Sequence, residues 1–314
     1  MHITPPAGVL ALALVCAALV GCDDYFDSEG LEHCNQQLAS RYPEPGTQDA
    51  FAGGWLIVGL DCPATQPTLT LRRPGSGPYE LTVQEAHGGR QLRVVPAVPL
   101  FPESTYNVEL SSGDEHWGWL FTTDALGSPI EYPLAGHSEE FLLDQGQLLS
   151  PPGMEEILRD PLQEVRPVLQ FLLEPGITSF AGRLGALMAQ GNHQDSDWPT
   201  FDRNFPWDAP YFSLGPLDLN WNLPGWQLVL EAVMIRGTPH PVLGGMGAVT
   251  IHGLWDTRNA DVALGGSSGS LCALAADGEG EGCIPCTDGS VSCLELVLLD
   301  VPTRNWPGDL SQTL

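Results

Sequence analysis

Short runs of alternating apolar and polar residues fill the first third of the chain. Residues 68–73 (TLTLRR), 79–84 (YELTVQ), 91–96 (QLRVVP), 106–111 (YNVELS) and 118–123 (GWLFTT) each put every second side chain on one apolar face. Gly, Pro and Ser cluster in the breaks, which recur at a spacing of about ten residues. That rhythm predicts an antiparallel β-sandwich.

After residue 125 the texture changes. In the stretch SPPGMEEILRDPLQEVRPVLQFLL, Leu158, Leu162, Val165, Leu169 and Leu172 fall near a helical period, while Pro161 and Pro167 forbid one continuous helix. One or two short helices are predicted there. Strand-like runs then resume at 176–191, 225–237 and 245–258. In the last of these, Val249, Ile251 and Trp255 share one face, with Thr250 and His252 opposite. Between the first two runs, residues 195–226 are dense in Trp, Pro and Asp and read as an irregular aromatic loop. The predicted fold class is mainly β: a sandwich over residues 41–124, then a β-rich C-terminal domain over 125–314 with short helices and disulfides.

Residues 43–124 resemble a bacterial Ig-like domain of the surface-layer and adhesin type. The likeness is carried by the turn Pro43-Glu44-Pro45-Gly46, by Leu100, Pro102, Thr105, Tyr106 and Val108, and by the closing Phe121-Thr122-Thr123. The resemblance implies a spacer or adhesive module without catalytic residues. In physical terms, Pro102 and Ser104 shape a turn, Tyr106 places its ring in the core with its hydroxyl at the corner, and Phe121 fills the inner face of the last strand. The tandem of two units, with its tail pattern D-T-R … C … C-x-x-C-x-D-G … C-L, is similar to uncharacterised two-domain lipoproteins of myxobacteria and relatives.

The N-terminus supplies a compartment. An apolar run from Val9 to Val20 is too short to cross a bilayer as a helix and suits the h-region of a signal peptide. It ends in Leu19-Val20-Gly21-Cys22, which resembles the bacterial lipobox. That resemblance implies cleavage before Cys22 and acylation of its sulfur, so the expected partner at this end is membrane lipid. The n-region departs from the pattern in carrying no Lys or Arg. Residues 1–21 are therefore read as a lipoprotein signal peptide and 22–40 as an acidic tether that includes Asp23, Asp24, Asp27 and Glu29. Asp directly after the cysteine resembles the inner-membrane retention signal of enteric bacteria, and the sequence leaves inner or outer membrane open. The expected location is the cell envelope, on the extracytoplasmic side.

Charge narrows the partners further. The chain of 314 residues carries 12 basic against 39 acidic residues, a formal net charge of −27, and every basic residue is Arg. So negative a field repels phosphate backbones, which argues against nucleic acid. Without Lys there is no Schiff-base or P-loop chemistry.

Candidate chemistry is sparse. Gly265-Gly266-Ser267-Ser268-Gly269 matches G-x-S-x-G literally, but no α/β pattern surrounds it, and a Gly/Ser loop is expected. The histidines stand singly, with no H-E-x-x-H. Asp195, Asp197, Asp202 and Asp208 offer oxygen ligands without EF-hand spacing, so calcium is the one cofactor to consider and none is otherwise expected. The same segment holds Trp198, Trp207 and Tyr211. With Asp202 and Asp208 these form the candidate ligand-binding set, since sugar faces stack on aromatic rings and sugar hydroxyls bond to carboxylates. Core packing beneath a long loop is the competing reading. Asp256 and Arg258 are expected to pair across a turn.

Six cysteines remain after Cys16 and Cys22 are set aside, an even number that an oxidising compartment turns into three disulfides. Cys34 pairs with Cys62 in this reading. In the tail, either Cys272–Cys283 with Cys286–Cys293 or Cys272–Cys286 with Cys283–Cys293 is expected. A four-cysteine zinc site and a redox C-x-x-C are the alternatives. Two functions stay in view: a non-enzymatic envelope lipoprotein for adhesion, scaffolding or ligand binding, with a glycan or an envelope protein as partner, and an extracytoplasmic hydrolase acting on glycans or esters.

Overall fold

In the computed structural model the described residues are 36–48, 50, 53–188, 193–195, 198, 200–242, 244–277, 282–308 and 310. Residues 1–21, read above as a signal peptide, lie outside them, as do Cys22 and Cys34. Seven strands come first: β1 (Leu38–Tyr42), β2 (Leu56–Leu60), β3 (Thr68–Arg72), β4 (Leu81–Ala86), β5 (Gln91–Pro96), β6 (Thr105–Ser112) and β7 (Glu115–Thr122). They form a four-stranded sheet in the order β1-β2-β5-β4 and a three-stranded sheet β3-β6-β7.

Alternation is what closes this Ig-like sandwich. Val58, Leu60, Leu92 and Val94 point inward from one sheet to meet Leu71, Val108, Leu110, Trp119 and Phe121 from the other. Tyr106 is fully buried, stacks on Phe121 at 5.6 Å, and its hydroxyl accepts the Phe101 N–H at 2.8 Å. The corner expected of Tyr106 is therefore present. Ser104 completes it by donating its hydroxyl to the Pro102 carbonyl.

The second unit comprises β8 (Ser138–Phe141), β9 (Gln147–Ser150), α1 (Glu155–Glu164), β10 (Arg166–Phe171), β11 (Ser179–Leu187), β12 (Phe201–Asp208), β13 (Tyr211–Leu223), β14 (Trp226–Pro239) and β15 (Met246–Asp256). It continues with α2 (Arg258–Ala263), α3 (Ser270–Asp277), β16 (Ile284–Pro285), β17 (Val291–Val301) and β18 (Thr303–Asn305). All its strand pairs are antiparallel, and the sheet runs β17-β15-β14-β13-β12-β11-β10-β8-β18, with β9 also on β17. Only Pro302 separates β17 from β18. One run of chain thus borders β15 on one side and β8 and β9 on the other, and the sheet closes on itself as a barrel.

A barrel of eight staves leaves an interior that side chains can fill. Here they do. Phe171, Phe180, Phe205, Trp207, Phe212, Trp221 and Trp255 occupy it together with aliphatic residues from β10, β11, β13, β14, β15 and β17. Met154, Leu158 and Leu162 add the buried face of α1, while Ile130, Tyr132 and Leu134 of the linker from the sandwich pack on the same core. The helix ends before the extended Val165 and Pro167 sits in β10, as the sequence predicts, whereas Pro161 is accommodated inside α1 and does not break it.

The largest departure from the sequence reading lies at 201–223. This stretch is not loop but two strands, β12 and β13, the second continuing into the long β13–β14 hairpin. Leu217, Leu219, Trp221 and Leu223 turn inward while Asp218, Asn220 and Asn222 face out. Pro206, Pro210 and Pro216 obscure that alternation in the sequence. Pro216 falls where the pairing with β14 shifts register, between Leu214 and Leu217, so the ladder bonds on either side stay intact.

Candidate functional site at the junction of sandwich and barrel

The outward face of the four-stranded sheet is covered. Ile57 and Arg93 pair across β2 and β5 and point away from the sandwich core, yet they are only 3% and 5% exposed. What covers them is the outer face of the barrel. Ile57, Val297 and Leu299 make a buried apolar cluster, against which Tyr42, Trp55 and Leu149 pack.

A charged group lies inside this seam. Arg93 Nη1 donates to Glu295 Oε1 at 2.6 Å, and Arg93 Nε is fixed by Gln91 at 2.8 Å. His252 Nε2 lies 3.1 Å from the same Glu295 oxygen, with its ring edge-on to Trp55 at 6.0 Å. The Arg93 guanidinium sits 5.9 Å from the Trp55 ring centroid. Burial alone pushes the Glu295 carboxyl up, but hydrogen bonds from His252 and Arg93 outweigh it and bring the pKa down to about 2. Glu295 is therefore ionised at any physiological pH. Nearby, the Tyr42 hydroxyl donates to Asp300 Oδ2 at 2.6 Å.

Two hollows flank the seam. A small one, about 50 Å³, is bounded by His87, Ser150, Ile284 and Glu295. The other is an open cleft of about 400 Å³ between β1 on the sandwich side and Gln147, Leu149 and Leu299 on the barrel side. Domain junctions are a preferred place for ligand sites, and this cleft is the larger of the two hollows.

The residues singled out in the sequence fall elsewhere. Trp198 and Trp207 are 3% and 6% exposed. Trp198 stacks on Trp221 at 5.4 Å and donates its indole N–H to the Asn220 carbonyl. Asp202 is on the outer barrel surface, where Arg183 grips it through two bonds of 2.5 and 2.7 Å. Asp208 and Tyr211 face each other across the β12–β13 turn. The Tyr211 hydroxyl has its pKa raised by burial and by the carboxylates of Asp124 and Asp208. Among the described residues these rings form no exposed aromatic platform: strand alternation sends Trp207 inward, and Trp198 is drawn into the core by its stacking on Trp221 and its bond to Asn220. Asp197 lies outside the described residues.

Ser267 has no base beside it among the described residues. Its hydroxyl lies 3.3 Å from that of Ser270. The buried Asp261 carboxylate accepts the Gly269 and Leu271 N–H groups at 2.7 and 2.9 Å, pinning the Gly-rich loop to the start of α3. In the tail the bridges are Cys272–Cys283 and Cys286–Cys293. Cys62 is also disulfide-bonded. Glu231 lies within 4.8 Å of the Cys286 and Cys293 sulfurs, a spacing that suits a metal, but the disulfide uses both sulfurs and Glu231 accepts two bonds from Thr287. Asp256 and Arg258 pair as expected, at 2.6 Å, and Arg258 also reaches Asp288 at 2.9 Å.

One buried carboxyl belongs to none of these clusters. Glu139 on β8 is 2% exposed and shares the inward face with Phe141. Burial raises its pKa to about 7, against weaker opposing bonds from Thr303 and Gly245. On the other face of the same strand, Glu140 is held by Arg166 and Arg304 at 2.7 and 2.6 Å. Those two arginines outweigh its burial and keep its pKa below the usual range.

No family model matches the sequence, and no curated protein matches it. Solved structures overlap it only loosely. Domains 5–6 of the S-layer protein SbsC are 13% identical over 69% of this chain and 91% of that one, with a TM-score of 0.22. Tandem Ig repeats of Dlar are 12% identical over 54% and 95%, TM-score 0.22. A DUF4784 family protein from Bacteroides caccae is 9% identical over 67% and 68%, TM-score 0.21. Scores this low carry no argument about function. The function has to be read from the junction itself.

No helix among the described residues is long and apolar enough to cross a membrane. The junction residues escaped the sequence reading, although two signals were present. Arg93 interrupts an apolar strand, and Leu296-Val297-Leu298-Leu299 is a continuous apolar run, the mark of a strand buried on both faces.

Proposed function

We propose that this protein is a lipid-anchored component of the bacterial envelope, outside the cytoplasm, and that its sandwich and barrel act together as a non-enzymatic module for adhesion, scaffolding or ligand binding. The junction carries the reading. A buried ion pair, a tyrosine–carboxylate bond and an apolar cluster hold the two units in one orientation, and the seam they leave is a cleft whose lining includes Arg41, Glu44 and Gln147 beside Leu38 and Leu149. A fixed pair of units suits a protein that presents a surface at a distance from a membrane.

The lipobox at Cys22 and the disulfide-bonded tail support the extracytoplasmic placement. Metabolic labelling with an alkyne palmitate analogue tests the anchor. The full chain should be labelled and sediment with membranes, and Cys22→Ala should lose both properties. Labelling that survives Cys22→Ala would overturn it.

A further inference from the structure

The helical end of the barrel differs from the rest of the surface. Across residues 259–276, which hold most of α2, the Gly/Ser loop and α3, the one charged residue is Asp261. It is buried, and its carboxylate is taken up by the Gly269 and Leu271 N–H groups. In the whole chain 16% of residues are charged, so this stretch is a neutral face on a strongly acidic protein. Apolar side chains stand out from it instead: Val262 is 75% exposed, Leu264 62% and Leu274 47%. Leu271 and Ala275 already form the buried face of α3, so Leu274 is surplus to the core. Val291 is exposed at the start of β17, next to the Ser292 carbonyl that accepts the Thr257 N–H just ahead of α2.

The described chain begins toward this same end. Gln36 donates its side-chain amide to the Pro63 carbonyl, and Ala64 bonds in turn to Gly89. His87, two residues before Gly89, borders the small hollow together with Ala275 of α3. Residues 22–35 lie between the lipobox cysteine and Gln36, and reach about 46 Å at most when extended. We propose that the α2–α3 cap is a membrane-contact face, resting on uncharged lipid beside the acyl chains of Cys22. The proposal rests on the lipid-anchor reading. Val262, Leu264 and Leu274 alone would hold a bilayer weakly, but a tether keeps them at high local concentration beside it. Charge selects the surface. Arg258 is already paired with Asp256 and Asp288, and Asp277, Glu279 and Glu281 follow the neutral stretch in sequence, so anionic lipid is disfavoured. A second copy would bring the same −27, whereas zwitterionic lipid brings no net charge.

The test is photocrosslinking of the anchored, disulfide-intact protein in vesicles of phosphatidylcholine and phosphatidylethanolamine. One version carries p-benzoylphenylalanine in place of Leu264, a second in place of Leu274. A third carries it in place of Leu120, which is 53% exposed on the sandwich and serves as the control. Illumination should give phospholipid adducts, read by mass spectrometry, at 264 and 274 but not at 120. Val262→Asp combined with Leu264→Asp, both exposed positions that leave the core intact, should lower the adduct yield at 274 about tenfold, a loss of ~1.4 kcal/mol.

Equal adducts at 264 and 120, no adduct at 264, or indifference of the 274 yield to the double substitution would each overturn the proposal. So would protein–protein crosslinks at 264 without lipid adducts, since the occupant would then be a second copy. Palmitate labelling of Cys22 is scored separately. Labelling without lipid adducts sinks the contact face alone. If Cys22 is unlabelled the anchor reading falls alone, and the contact face is then judged by the same adducts with the chain added to vesicles at high lipid concentration.

Discussion

Glu139 gives the sharpest physical test of the barrel. Its carboxyl lies in the packed interior beside Phe141, and burial raises its pKa to about 7 from an ordinary 4.5. Ionisation is therefore more costly in the folded protein than in the unfolded chain. The sign follows: the neutral form is accommodated at low pH, and stability falls as pH rises from about 4.5, where the unfolded chain ionises, through about 7, where the folded one does. A shift of this size corresponds to about 3 kcal/mol in all, of which about 2.5 kcal/mol falls between pH 5 and pH 8. Glu139→Gln keeps the shape and removes the proton. Urea unfolding of both proteins, followed by tryptophan fluorescence at pH 5 and pH 8, should show the variant gaining on wild type by about that amount. Carbon-13 NMR of the labelled carboxyl should titrate with a midpoint near 7. A difference between the two proteins that is the same at both pH values would refute the reasoning, as would a midpoint near 4.5.

Other consequences follow from the same contacts. Glu295→Ala leaves Arg93 charged and buried, and should cost about 3 kcal/mol while increasing the radius of gyration in small-angle scattering as the units part. Because the folded pKa of Glu295 is about 2, its contribution is complete above the ordinary carboxylate range and disappears only as pH falls toward 2; a wild-type junction that opens at pH 5 would contradict this. Asp261→Ala removes the acceptor for the Gly269 and Leu271 N–H groups and should destabilise the Gly-rich loop by about 2 kcal/mol, read as faster hydrogen exchange at those two amides. Denatured, unreduced protein should give no Ellman signal from Cys272, Cys283, Cys286 or Cys293; four thiols there would restore the zinc alternative.

Much of the sandwich was legible in the sequence because its information is local. Runs such as QLRVVP and YNVELS fix their own inward faces, and β5 and β6 lie within two residues of where those runs predict them. Tyr106 reached the corner the motif assigns it. Residues 201–223 were misread because proline was weighted as a loop signal, while the alternation of Leu217, Leu219, Trp221 and Leu223 was the stronger one. That error also fed the expectation of an aromatic platform, since Trp207 looks exposed only if its segment is loop; Trp198, outside the strand, is buried by stacking on Trp221.

By itself the sequence pointed to a mainly β protein with a sandwich first and to pairing among the tail cysteines, both of which the structure contains. Each follows from composition or from residues near one another in the chain. Only the tertiary structure decided that the second sheet closes, that Cys272 pairs with Cys283 and not Cys286, and that Arg93 meets Glu295 across a separation of 202 residues. Strand periodicity says which face of a strand is apolar, but not which distant surface will cover the other face. The junction and its cleft exist only where two such surfaces meet.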